Sequence, residues 1–77
     1  MIVTKTEFLL RSDYIELCSL LKLLGLANTG GHGKILVANG EVRVNGTVEL
    51  RKTAKIRVGQ VVSLAGVEIT VRAGEPV

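Results

Sequence analysis

The chain has 77 residues, of which 47% are apolar and 22% charged, and its formal net charge is +3. This length excludes a second domain with its own core, and the apolar content is too high for a chain disordered along its whole length. So small a core leaves little room for a deep ligand pocket, and we expect function at the surface.

The opening of the chain, residues 1 to 12, shows no clear hydrophobic period and predicts a lead-in or an edge strand. It contains no cationic segment followed by a long apolar run, and no apolar stretch approaches the roughly 18 residues of a bilayer span. The single cysteine, Cys18, excludes an intrachain disulfide. We therefore expect a cytoplasmic protein with no membrane partner.

The first helix is predicted over residues 13 to 24, where apolar residues recur at helical spacing. Ser12 or Asp13 is the predicted N-cap, and Glu16 follows at the position that completes a capping-box-like arrangement. Gly25 comes after the last periodic residue and ends the helix, because glycine adopts a left-handed backbone conformation at little steric cost.

A second, shorter helix is predicted over residues 30 to 39, with Asn28 or Thr29 as its N-cap. Gly33 falls on its apolar stripe, which favours close contact with a neighbouring helix. The two glycines that open the helix permit either a flexible turn or a site where bare amides face an anion.

Beyond residue 40 the apolar period changes to two, which predicts a hairpin around an Asn-Gly pair. A two-residue loop would place a valine opposite a glutamate and break the apolar face. We therefore predict a three-residue loop over residues 44 to 46, in which Arg43 pairs with Thr47 and Val42 pairs with Val48.

The remaining strands are predicted at 55–58, with Ile56 and Val58 facing inward, at 61–64 and at 67–71. Residues 73–77 are expected to be a loose tail. The predicted fold class is α+β: two N-terminal helices packed on a small, strongly bent antiparallel sheet. Residues 1–77 form a single domain.

Catalytic and metal-binding constellations are scarce in this sequence. His32 is the one histidine, and Cys18 lies on the apolar stripe of the first helix, where an inert buried thiol is expected. The carboxylates form no cluster, zinc would lack ligands, and neither phosphate-binding glycine motif is present. We predict no catalytic residue, no metal and no cofactor.

Positive charge is concentrated in the middle of the chain. From Lys22 to Arg57 there are seven basic and two acidic residues, a net charge of +5, while the rest of the chain carries −2. Such a patch is typical of polyanion binding, although a simply solvated face is the alternative. Phe8 and Tyr14 are the only aromatic residues, so we expect recognition of the shape and backbone of folded RNA rather than base stacking.

The first group of candidate RNA contacts consists of basic residues whose side chains are predicted to face outward. They share a positive charge and are expected to form one concave surface on the second helix, the strands and the loop between them, with His32 added as a surface or capping residue. The basic ones are Lys34, Arg43, Arg51, Lys52, Lys55 and Arg57.

From about residue 14 to residue 64 the sequence resembles the RNA-binding domain of the ribosomal protein S4 type, also called the alpha-L motif. The stretch NGEVRVNGTVELRKTAKIRVGQVVSL carries the resemblance, with Gln60 where the family more often has Asp. The resemblance implies a bacterial-type, stand-alone RNA-binding module whose second helix and hairpin face the RNA. It adds Thr29 and Asn45 as candidate contacts, and Gly30 stands where the family often has an arginine.

The function expected on these grounds is non-catalytic binding of structured RNA, ribosomal or transfer RNA, by a monomer, with association with the ribosome left open. The alternative is a protein-interaction module that docks acidic partners or adds a strand at a sheet edge. A small hydrolase or transferase ranks third, because a lone histidine and scattered carboxylates do not build its active site.

Overall fold

The strands of the computed structural model, which describes residues 4 to 74, form two sheets beside two helices. A five-stranded sheet has the order β1-β7-β6-β3-β4, and β2 pairs with β5 in a separate two-stranded sheet. The elements in chain order are β1 (Thr4–Leu10), β2 (Ile15–Glu16), α1 (Leu17–Leu23), α2 (Gly30–Ala38), β3 (Val42–Val44), β4 (Thr47–Val48), β5 (Lys55–Ile56), β6 (Val61–Leu64) and β7 (Val67–Ala73).

The first element of the described residues is an edge strand, which agrees with one of the two predictions for this region. β1 runs parallel to β7, with the Thr4 amide donating to the Gly66 carbonyl at 2.8 Å at one end and the Gly74 amide donating to the Leu10 carbonyl at 2.7 Å at the other. The α+β class is confirmed, but the expected N-terminal helices and purely antiparallel sheet are wrong. A strand precedes the helices, and the sheet is mixed.

The tail prediction is wrong for its first two residues. Ala73 belongs to β7, and the Gly74 amide donates a hydrogen bond to the Leu10 carbonyl of β1. Residues 75–77 lie outside the described residues.

The first helix begins at Leu17, so the predicted start at residue 13 and the capping box are wrong. Glu16 occupies the N-cap position and makes no side-chain cap, while the Ser12 hydroxyl donates to the Tyr14 carbonyl at 2.9 Å. The loop before β5 caps the helix instead, since its carbonyls accept from the amides of Leu17 (2.9 Å) and Cys18 (3.1 Å). Gly25, with φ of +75°, follows the helix as predicted.

The two helices pack closely because Gly33 has no side chain. A Cβ placed on Gly33 would lie 3.1 Å from the Cys18 carbonyl oxygen, a tighter approach than nine in ten real Cβ contacts make. The packing interpretation of Gly33 is therefore confirmed, and so is the burial of Cys18. The second helix begins after Thr29, whose hydroxyl accepts from the His32 amide.

The predicted hairpin register is wrong. The loop has two residues, Asn45 and Gly46, with φ of +52° and +83°, and Arg43 pairs with Val48. Two successive left-handed residues suit the twist of a tight hairpin. The conformational preference of the Asn-Gly turn therefore outweighs the burial of every valine on one face. Val48 is accordingly 43% exposed.

The core lies between the helices and one face of the larger sheet. Val42, Val62 and Ile69 are fully buried on that face, and Ile56 is buried beneath β5. Val58, predicted to face inward, is 50% exposed, because β5 ends at Ile56. Neither helix in the described part of the chain has the length and apolar character needed to cross a membrane.

Candidate nucleic-acid interface

A surface groove of about 450 Å³ lies along the loop that leads into β5. It is lined by three of the predicted cations and two small residues, Arg51, Thr53, Ala54, Lys55 and Arg57. Buried Ala54 anchors this loop: its carbonyl accepts from the Leu17 amide at 2.9 Å and its amide donates to the Arg51 carbonyl at 3.1 Å. The loop that caps the first helix therefore also positions the cations.

The pairing of β2 with β5 directs side chains to two sides. Ile15 lies opposite Ile56, which is buried, and Glu16 lies opposite Lys55 on the exposed side. Because side chains alternate along a strand, Lys55 points outward on the side of Glu16. Arg57, just beyond the end of β5, is exposed as well. Within residues 4 to 74, no ion pair joins Lys55 to Glu16.

Lys55 and Arg57 both approach the ring of Tyr14. The Lys55 Nζ is 4.9 Å from the ring centroid and the Arg57 Cζ is 5.7 Å away, both within cation–π range. Arg57 is also fixed at its backbone, where its amide donates to the Gln60 side-chain oxygen at 2.6 Å, and at its guanidinium, which donates to the Asp13 carbonyl at 3.3 Å.

Arg51 forms a two-point ion pair with Glu49, with Nε and Nη2 each 3.3 Å from a carboxylate oxygen. These hydrogen bonds hold the pKa of Glu49 below its ordinary value and raise the pKa of Arg51. The Arg51 side chain remains 79% exposed. Arg51 therefore enters the groove with its charge partly compensated, which leaves Lys55 and Arg57 as the stronger anion-binding groups.

Lys52 is exposed in the same loop without lining the groove, and its carbonyl accepts from the Cys18 amide.

The candidate residues of the second helix serve mainly its first turn. The Thr29 hydroxyl accepts from the His32 amide at 3.1 Å, and the His32 Nδ1 accepts from the Asn28 amide at 3.1 Å. An Nδ1 that accepts leaves the ring proton on Nε2. Lys34 is exposed on the same helix and does not line the groove. RNA contact by these three residues stays a prediction.

Arg43 and Asn45 lie apart from the groove. Arg43 lines a separate concavity of about 240 Å³ together with Glu41 and Glu68, where its charge has acidic neighbours. The Asn45 side-chain oxygen accepts from the Val61 amide at 2.9 Å, so this residue joins the hairpin to β6. The expected single surface thus divides, and RNA contact by Arg43 and Asn45 remains a prediction.

Comparison with known proteins identifies the family. Residues 8–72 match the family model of the S4 domain. The chain belongs to the S4 domain family. This confirms the resemblance seen in the sequence. The match also includes the last three residues of β1 and all of β7 except Ala73.

Relatives of this S4 domain include the Escherichia coli (strain K12) protein named "Putative RNA-binding protein YbcJ", which is 50% identical over 63 residues, 82% of this chain and 90% of the relative. The "Uncharacterized protein YbcJ" of Shigella flexneri has the same identity and coverage. A solution structure of YbcJ from E. coli, described as revealing an alfaL motif involved in RNA binding, superposes with a TM-score of 0.65 and 41% identity over 95% of this chain and 91% of that one.

Sequence reasoning missed the place of Tyr14 in this S4 domain. The predicted helix from residue 13 put Tyr14 on an apolar helical stripe, whereas the residue precedes a short strand and is 40% exposed. The available signal was the alternation of Tyr14, Ile15 and Glu16, which matches that of Lys55, Ile56 and Arg57. Three residues are too short a run to outweigh a longer helical pattern.

Proposed function

We propose that this protein binds structured RNA without catalysis, through the groove lined by Arg51, Lys55 and Arg57. The observation that carries the proposal is that three cations line one groove and that none of the described residues lining it has a carboxylate side chain. Membership of the S4 domain family and the RNA-binding names of its relatives support it.

The chemistry of such a groove suits a sugar-phosphate backbone. Guanidinium and ammonium groups neutralise phosphates and release condensed counterions, which provides affinity with little dependence on base sequence. The Thr53 hydroxyl adds a neutral hydrogen-bonding group between the cations. We extend the proposal to ribosomal or transfer RNA as the ligand, to a monomer in the cytoplasm as the binding form, and to the ribosome as one place of action.

The test compares two single substitutions that each remove one exposed lysine charge from a strand. Lys55→Gln acts in the groove, and Lys5→Gln acts on β1 outside it. For a hairpin RNA at about 0.1 M salt, we expect Lys55→Gln to weaken binding roughly 3- to 10-fold and to reduce the slope of log K against log salt by about 0.9. Lys5→Gln should change neither quantity.

Equal losses for the two variants would show that total charge, rather than the groove, determines binding. Gel-shift or fluorescence-anisotropy titration gives the affinities, and thermal unfolding of both variants shows that they remain folded.

Strand addition is the second candidate function, and β1 is the observation that favours it. β1 is a seven-residue edge strand whose Lys5, Glu7 and Leu9 are exposed. An unpaired edge can hydrogen-bond to a strand of another protein. Partners retained in a pull-down after ribonuclease treatment, and lost when a proline is placed at Glu7, would favour this function over RNA binding.

A further inference from the structure

Tyr14 forms an aromatic platform beside the basic groove. It is the only tyrosine, and the chain contains no tryptophan. Two of the cations assigned to phosphate, Lys55 and Arg57, lie 4.9 and 5.7 Å from its ring centroid. The residue is nevertheless 40% exposed, so part of its surface remains available to a ligand.

Hydrogen bonds and strand pairing hold the backbone around Tyr14. The Ser12 hydroxyl donates to the carbonyl of Tyr14 itself at 2.9 Å, and the Arg57 guanidinium donates to the carbonyl of the preceding residue, Asp13. The residue after Tyr14, Ile15, pairs with Ile56 of β5, and Ile56 is only 1% exposed. A ring carried on a held backbone segment loses less conformational entropy when a ligand stacks on it than a ring on a free loop does.

An exposed aromatic ring beside two cations matches the parts of a single nucleotide. Aromatic side chains stack unpaired bases, and neighbouring cations take the phosphate. A base within a continuous duplex is already stacked on its neighbours and is not free for this contact. The arrangement therefore selects a nucleotide outside a helix, in a loop, bulge or end.

We propose that Tyr14 stacks an unpaired base of the bound RNA while Lys55 and Arg57 hold its phosphate. The inference rests on the proposed function and narrows its ligand to structured RNA with an unpaired nucleotide next to a stem. It departs from the expectation, drawn from the sequence, that this chain recognises RNA without base stacking.

The position of Glu16 is compatible with this site. Glu16 lies opposite Lys55 across the β2/β5 pair, where a carboxylate could neutralise the lysine. Among the described residues the ion pairs recorded are Glu49 with Arg51 and Glu7 with Arg72, and the Lys55 ammonium lies near the Tyr14 ring instead. The lysine charge is therefore available to a phosphate beside the ring.

The experiment measures the affinity of three proteins for two RNAs of the same stem. The proteins are the unaltered chain, Tyr14→Leu, which removes the ring, and Tyr14→Phe, which keeps it. The RNAs are a hairpin with an unpaired loop and a blunt duplex. We expect Tyr14→Leu to weaken binding of the hairpin by about 5- to 100-fold and to leave binding of the duplex unchanged. Tyr14→Phe should bind the hairpin nearly as the unaltered chain does.

Proton NMR of the single tyrosine provides a second readout. When a base stacks on Tyr14, the ring current of the base moves the tyrosine ring resonances upfield. Contact with a phosphate alone does not cause this shift. An upfield shift with the hairpin and none with the duplex supports the proposal. Equal affinity of Tyr14→Leu and the unaltered chain for the hairpin, with no ring shift, overturns the stacking site and leaves the proposed function standing. Binding to neither RNA overturns both.

Discussion

Gly33 decides how closely the two helices approach. The carbonyl oxygen of Cys18 occupies the space that a side chain would need, and backbone in a packed helix cannot move aside as a flexible side chain can. Gly31 lies two residues earlier, and among the described residues outside its own helix backbone the Thr29 hydroxyl is the one neighbour within 4 Å of an added Cβ, at 3.7 Å. The two glycines therefore differ in what a side chain would cost.

Replacement of Gly33 by valine should lower the free energy of unfolding by about 1 to 3 kcal/mol, because the two helices must separate to accommodate it. Gly31→Val should change it by less than about 0.5 kcal/mol. Urea unfolding followed by circular dichroism measures both values. Equal effects of the two substitutions would contradict the packing role of Gly33.

At this scale the sequence predicts a residue well when its role depends on neighbours along the chain. The apolar stripe of the second helix was sufficient to place Gly33 at a helix contact, and Thr29 was correctly named among the candidate caps. Tyr14 was not placed correctly, because its surroundings come from residues more than 40 positions away.

The turns between strands determine the register of the larger sheet. Asn45-Gly46 and Ala65-Gly66 are both two-residue connections whose two residues have positive φ. Asparagine tolerates the left-handed conformation, whereas alanine is strained in it. The Asn45 side-chain oxygen also accepts a hydrogen bond from the Val61 amide. Ala65 is thus a locally unfavourable residue in an otherwise regular turn.

Ala65→Asn should raise the free energy of unfolding by about 0.5 to 1 kcal/mol through relief of that strain, and Asn45→Ala should lower it by about 1 to 2 kcal/mol through the added strain and the lost hydrogen bond. Thermal or urea unfolding of the two variants provides the measurement. Changes of the same sign would show that left-handed strain does not control these turns.

Two elements show where local pattern was insufficient. The start of the first helix could not be located, since its first amides are satisfied by carbonyls of the loop over residues 51–54 rather than by a capping side chain. The hairpin register was missed because apolar alternation was given more weight than the Asn-Gly turn signal. Strands 61–64 and 67–73, with a clear period and a clear turn, were predicted nearly to the residue.

In the whole molecule, cations from one basic stretch of chain line two separate concavities, which the sequence could not show. The segment from residue 22 to residue 57 is basic as a stretch of chain, yet Arg43 faces Glu41 and Glu68 while Lys55 and Arg57 share the groove. The parallel pairing of β1 with β7 is likewise a contact between the two ends of the chain, beyond the reach of local periodicity. A count of charges along the chain therefore indicates a basic protein, but it cannot show which cations share a surface.

The salt dependence of RNA binding by the unaltered chain decides whether these positioned cations hold phosphate. Lys55 and Arg57, with the partly compensated Arg51, should neutralise at least two phosphates of a stem. A plot of log K against log salt should then be linear with a slope of about −1.8 or steeper, at about −0.9 per phosphate. A flat plot for a bound hairpin RNA would contradict phosphate recognition by the groove.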